Sequence, residues 1–144
     1  MSIKQISVFL ENKPGTLCAM TEVLAEHEID MRAFTLAETS DFGIARIIVD
    51  DVYKTSVVLK EAGYISSVSD VLCVVIPDEP GGLNRVLQVL SGAQVNVEYI
   101  YVFQGHKNAN TAYMIFKVAD SAAASAALSA KGIKTVEQGG LKKL

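Results

Sequence analysis

The chain is written twice, and that constrains its fold more than any other feature. A shift of 66 residues lays Pro14, Gly15, Leu17, Val23 and Leu24 on Pro80, Gly81, Leu83, Val89 and Leu90. Farther along the shift becomes 69, laying Asp51 on Asp120, Leu59 on Leu128 and Gly63 on Gly132. The three extra residues fall in Gln104-Gly105-His106-Lys107-Asn108-Ala109-Asn110, a polar turn where an insertion costs little. One supersecondary unit built twice is the simplest reading of such a period.

Within the first copy, Ile3 to Leu10 reads as a strand. Leu17, Met20, Val23 and Leu24 recur at helical spacing, predicting a helix over Thr16 to His27. Met31 to Leu36 and Ile44 to Val49 read as strands joined by the turn formers Thr39 to Gly43. Asp50-Asp51 then places acid at the positive end of a helix over Tyr53 to Ala62, with Gly63 as its C-terminal cap. Tyr64 to Val68 is the last strand of the copy. The order strand, helix, strand, strand, helix, strand then begins again, giving domains at 1–69 and 70–144. Ser66-Ser67-Val68-Ser69-Asp70 is so short a connection that the domains are expected to pack side by side. Ala119 to Ala130 is Ala-rich, as suits a closely packed helix.

Half of the 144 residues are hydrophobic, enough for packed cores. A net charge of −3 with no Lys/Arg cluster argues against nucleic acid. No apolar run approaches the ~20 residues that span a bilayer, so no membrane partner is expected. The N-terminus lacks the basic-then-apolar plan of a signal peptide. Cys18 and Cys73 sit in apolar surroundings and read as reduced core residues of a cytoplasmic protein. Two His and two Cys without metal-ligand spacing imply neither a metal nor a cofactor. No nucleophile elbow, Walker loop or dinucleotide fingerprint is present, and no catalytic constellation assembles, so an enzyme is not expected.

The most informative residues lie at the two strand-to-helix turns, Asn12-Lys13-Pro14-Gly15-Thr16-Leu17 and Asp78-Glu79-Pro80-Gly81-Gly82-Leu83. Pro stiffens each turn, and Gly permits a left-handed angle or close approach of a ligand. The helix that follows offers unpaired N–H groups and a partial positive charge, which suit a carboxylate. At the start of the second strands, Asn96 offers a carboxamide able to donate and accept, and its counterpart is Asp30. Period-2 alternation puts Val97, Tyr99, Tyr101 and Phe103 on one face, as core, as an interface, or as a surface for a ligand.

The repeated order of elements, with Asn-x-Pro-Gly-x-Leu or Asp-x-Pro-Gly-x-Leu after the first strand, resembles the ACT domain over nearly the whole chain, as in small tandem amino-acid-binding proteins. The resemblance implies an α+β fold of two ferredoxin-like βαββαβ domains. They would join edge to edge through their second strands into an eight-stranded antiparallel sheet with helices on one face. It further implies a free amino acid held where the domains meet. One site would combine Asn12, Pro14, Gly15, Thr16 and Leu17 with Asn96, and the other Asp78, Pro80, Gly81, Gly82 and Leu83 with Asp30. The first is neutral. The second brings two carboxylates to one ligand, at about 3 kcal/mol for like charges ~5 Å apart in an effective dielectric of ~20. The Asn12/Asn96 site is therefore expected to bind a neutral amino acid more tightly.

The expected function is an amino-acid sensor acting through a homo-oligomer, such as a dimer, or through a partner enzyme. The alternative is a non-catalytic interaction subunit with vestigial ligand sites. An acyl-phosphatase-like enzyme on the same fold would need an Arg-bearing anion loop, and neither Pro-Gly loop supplies one.

Overall fold

The computed structural model describes residues 2–103 and 110–144; the insertion and His106 fall at 104–109, outside the described residues. The chain divides into two compact units, Lys4–Ser69 and Asp70–Leu144, the latter with Met1–Ile3. Both are ferredoxin-like βαββαβ repeats.

In the first, β1 (Ile3–Glu11) leads to α1 (Thr16–Glu26), β2 (Met31–Glu38), β3 (Phe42–Val49), α2 (Val52–Glu61) and the beginning of β4 (Ile65–Pro77). β3 pairs antiparallel with both β1 and β2, so that Ile47 lies opposite Ile6 on one side and Phe34 on the other. Strand alternation turns Ile6, Val8, Leu10, Ala45 and Ile47 to one face, where Met20, Leu24 and Leu59 of the two helices cover them. Each large apolar side chain buried there contributes about 1.5–3 kcal/mol.

The second unit continues from β4 through α3 (Gly82–Gly92), β5 (Val97–Val102), β6 (Thr111–Val118), α4 (Ser121–Ala130) and β7 (Thr135–Val136). β6 lies between β4 and β5, with Phe116 opposite Leu72 and Ile100, and β7 pairs β4 through Cys73 and Val74. Leu72, Val74, Ile76 and Phe116 pack against Val86, Leu90, Ala124 and Leu128. Of the α4 alanines, Ala124 is buried in this core and Ala123 packs against it.

The repeat extends to single hydrogen bonds. Ile29 and Val95 each donate to the carbonyl of the helix residue five earlier, past Glu28 and Gln94, which both adopt positive φ. Asp51 and Asp120 cap α2 and α4, each accepting at 3.0 Å from the amide three residues on. Both second strands bulge at one position, between Met31 and Ala33 and between Val97 and Tyr99.

That bulge corrects the expected aromatic face. Val97 and Ile100 both pack toward the helices, so Tyr99, Tyr101 and Phe103 point to the opposite face without Val97. There Tyr99 stacks on Tyr101 and Phe103 meets Tyr113 edge-on, each at 6.4 Å between centroids. One extra residue inverts the alternation, and no residue type announces it.

Three other expectations change. The strand foreseen at Tyr64 to Val68 and the strand that opens the second copy are one strand, β4, because Ser66 to Asp70 contains no Gly or Pro to turn the chain. Asp50 does not cap a helix; it pairs with Arg32 at 3.0 Å. Cys18 is exposed on α1, with its thiol 3.6 Å from Glu22, rather than in the core. A closing 3-10 helix, Gln138–Lys143, buries Leu141 and was not foreseen.

Cys73 is buried, and burial pushes its thiol up to about 12. An acid whose pKa rises on folding holds its proton better in the native state, so stability is full below the unfolded value and falls as pH rises toward 12. Chemical denaturation at pH 8 and pH 10.5 should show lower stability at the higher pH, and Cys73→Ala should reduce that pH dependence. An aromatic disulfide reagent should label Cys18 in the native protein and Cys73 only on unfolding. At Gly82 a Cβ would run into the Pro77 carbonyl oxygen and the Ile76 side chain, whereas at Gly92 it would meet nothing. Gly82→Ala should cost about 1–3 kcal/mol and Gly92→Ala should stabilise by up to about 1 kcal/mol, both read from urea unfolding.

Candidate functional site

Each Pro-Gly loop is held in place by backbone bonds that repeat in both units. The Asn12 amide donates to the Asp41 carbonyl at 3.0 Å and the Asp78 amide to the Asn110 carbonyl at 2.9 Å, tying each loop to the following β-hairpin. Lys13 and Glu79 donate back across the turn to Glu11 and Pro77. Gly15 and Gly81 then take φ of 86° and 84°, left-handed angles that an L side chain disfavours.

These glycines are the N-caps of α1 and α3, where no side chain caps the helix and no acidic residue lies in the first turn. α2 and α4 differ, since Asp51 and Asp120 occupy their N-termini. The molecule thus closes two helix N-termini with carboxylates and leaves two open, both at Pro-Gly loops. An open N-terminus presents N–H donors and partial positive charge to an anion.

In the first loop, Asn12 Nδ2 donates to Glu38 Oε2 at 3.2 Å and to the Thr39 carbonyl at 3.1 Å. The carboxamide therefore spends both N–H groups on the hairpin, and Oδ1 keeps its acceptor capacity. Glu38 and Thr39 belong to this loop's chemistry, although sequence reasoning did not select them, because only the β2–β3 register brings them to Asn12. The neutral character expected here changes accordingly: a carboxylate stands beside Asn12. Thr16 approaches the carbonyls of Glu11 and Lys13 at 2.7 and 3.0 Å with its hydroxyl, which keeps it inside the turn. Leu17 packs on the core below, so its contribution to a site is its backbone. Pro14 is exposed and shapes the turn.

In the second loop, Asp78 and Pro80 are exposed and Glu79 pairs with Arg85 at 2.6 Å, bracing the loop against α3. Gly82 is buried, with its Cα against the end of β4, and Leu83 packs on its unit's core. The hairpin positions that correspond to Glu38 and Thr39 fall at 104–105, outside the described residues.

Asp30 and Asn96 are both exposed immediately before β2 and β5. The Asn96 carbonyl accepts from the Ala119 amide at 3.0 Å, which fixes its backbone and leaves the carboxamide at the surface. Asp30 lies near Arg32, whose guanidinium is held above its ordinary pKa by the hydrogen bond to Asp50, against the effect of burial, with the charges of Asp50 and Asp30 adding to it. The negative charge of Asp30 is thus partly balanced by a neighbour on β2. Within the first unit the structure gathers Asn12, Pro14, Gly15, Thr16 and Leu17 into one turn; within the second it gathers Asp78, Pro80, Gly81, Gly82 and Leu83.

The family model described as an ACT domain pair matches residues 1–144. A crystal structure of a protein from Bacteroides thetaiotaomicron is 38% identical and superimposes with a TM-score of 0.92, covering 100% of this chain and 98% of that one. The ligand-free regulatory subunit of aspartate kinase from Thermus thermophilus is 19% identical with a TM-score of 0.63, covering 90% of each chain. The regulatory subunit of aspartate kinase from Thermus flavus is 19% identical with a TM-score of 0.62, covering 88% of each chain. At that identity the two regulatory subunits show a shared fold. Among curated proteins none matches.

The Asn12 side chain ties loop to hairpin, so Asn12→Ala should cost about 0.5–1.5 kcal/mol in urea unfolding. Asp78→Ala, lacking a side-chain bond of that kind among the described residues, should change stability by less than about 0.5 kcal/mol.

Proposed function

The chain belongs to the ACT domain pair family, and from that premise we propose that it is an amino-acid-binding regulatory protein whose ligand groups are the two Pro-Gly loops together with Asn96 and Asp30. ACT domains are regulatory and non-catalytic, which agrees with a chain whose polar residues form loops and caps. The observation that carries the proposal is the selective opening of α1 and α3 at left-handed glycines while Asp51 and Asp120 close the other two helices. A free amino acid presents a carboxylate to such N–H donors. Its ammonium needs acceptors, and Asn12 Oδ1 beside Glu38 supplies them at the first loop. In the second loop Asp78 takes the acceptor role. The bound state would be passed to a second copy of the chain or to a partner enzyme, since the proposal assigns no chemistry to the chain itself.

A thermal-shift screen against the twenty amino acids tests the proposal. A true ligand at one hundred times its Kd stabilises by about 2.7 kcal/mol and should raise Tm clearly. Asn12→Ala and Asn96→Asp should weaken the response, and Asp30→Asn should change it less. A folded protein that responds to none of the twenty favours the interaction-subunit reading, with a partner pull-down as the next experiment.

A further inference from the structure

The second unit contains a cavity of about 970 Å³ alongside α3, bounded by the C-terminal end of α4 and the segment leading into β7. Val86, Val89, Ala127, Ala130 and Ile133 contribute apolar wall, and Arg85, Lys131 and Lys134 line it with cationic side chains. None of the described lining residues is acidic. Arg85 is engaged by Glu79 at 2.6 Å, while the ammonium groups of Lys131 and Lys134 have no ion-pair partner among the described residues.

The first unit supplies an internal control. At the positions of Val86, Ala127 and Ile133 it carries Met20, Val58 and Tyr64. Met20 and Val58 are buried and Tyr64 packs on the core. Gly92 and Ala93 likewise stand where the first unit has Glu26 and His27. The opposite trend holds for charge: Ala19, Ala62 and Ile65 are replaced by Arg85, Lys131 and Lys134. Between two copies of one fold, the same region has lost side-chain volume and gained three cations. Relaxed packing alone accounts for the first change and not for the second.

We propose that this cavity binds a small amphipathic anion, an apolar chain carrying one carboxylate, with the chain against Val86, Val89, Ala127 and Ile133 and the carboxylate between Lys131 and Lys134. The volume lies in the range of small-molecule sites, apolar with a few placed polar groups. An uncompensated pair of ammonium groups at the edge of an apolar wall favours one end of such a molecule over a neutral chain. The cavity borders the second Pro-Gly loop at Gly82 and Arg85, but the proposal does not depend on the amino-acid reading of that loop, since the apolar wall, Lys131 and Lys134 lie outside it.

The full-length protein is titrated with the fluorescent sulfonate 8-anilino-1-naphthalenesulfonate, then challenged with decanoate and with decanol. Saturable enhancement at one site per chain, displaced by decanoate at a concentration about tenfold lower than decanol, is the expected result, tenfold being about 1.4 kcal/mol. Lys131→Ser with Lys134→Ser, both at exposed positions, should erase the preference for decanoate and leave decanol unchanged. Val86→Met with Ala127→Val and Ile133→Tyr, which installs the first unit's residues, should abolish displacement by both. Absence of saturable binding overturns the proposal, as does binding indifferent to both variants. So does a filling variant that changes only the sedimentation behaviour while decanoate never binds the wild type, which marks the face as a contact between copies. An amino-acid-induced Tm shift that survives the lysine substitutions separates failure here from failure at the Pro-Gly loops.

Discussion

Both halves of the molecule depend on a reversal made at a left-handed glycine. A strand must end, and the helix that follows must run back over the strand's own face to cover its apolar side chains. Gly15 and Gly81 make that reversal within a few residues. Everything downstream follows from it: α1 and α3 land on the cores, and their first turns project where no side chain caps them. Because the glycine has no side chain to offer, one backbone requirement produces both the packing and the open N–H groups. Fold and candidate binding feature therefore share a single cause.

Much of this was legible in the residues. Helical spacing of Leu17, Met20, Val23 and Leu24 marked a helix that the structure draws over Thr16–Glu26, and the duplicated pattern transferred the reading to the second copy. What escaped was set by partners far away in sequence. Glu38 reaches Asn12 only through strand register, and Asp50 turns to Arg32 because the bulge in β2 presents that side chain. The bulges leave no compositional trace, so a strict alternation placed Val97 with the tyrosines. Cys18 looked like core because its neighbours are apolar, yet it lies off the stripe that α1 buries. Local periodicity carries the elements; long-range pairing decides which side chains meet.

The two units also show how differently one scaffold can be furnished. The backbone bonds that shape the loops, the positive-φ residues after α1 and α3, and the Asp caps are common to both. Side chains above that frame diverge in a concerted way. The first loop is braced by Asn12 against its hairpin, the second by Glu79 against Arg85 on its helix. Distinct bracing gives each loop its own surroundings while leaving the chain path unchanged.

The contrast between Thr16 and Gly82 reaches beyond energetics. These positions correspond, but in one unit a threonine hydroxyl lies within reach of two carbonyls and donates its single proton to one of them, while in the other the helix start sits so close to the strand end that a Cβ would meet the Pro77 carbonyl. A first turn moved from the first half into the second would bring a threonine side chain against the Pro77 carbonyl, so the two helix starts are not interchangeable although their chain paths match.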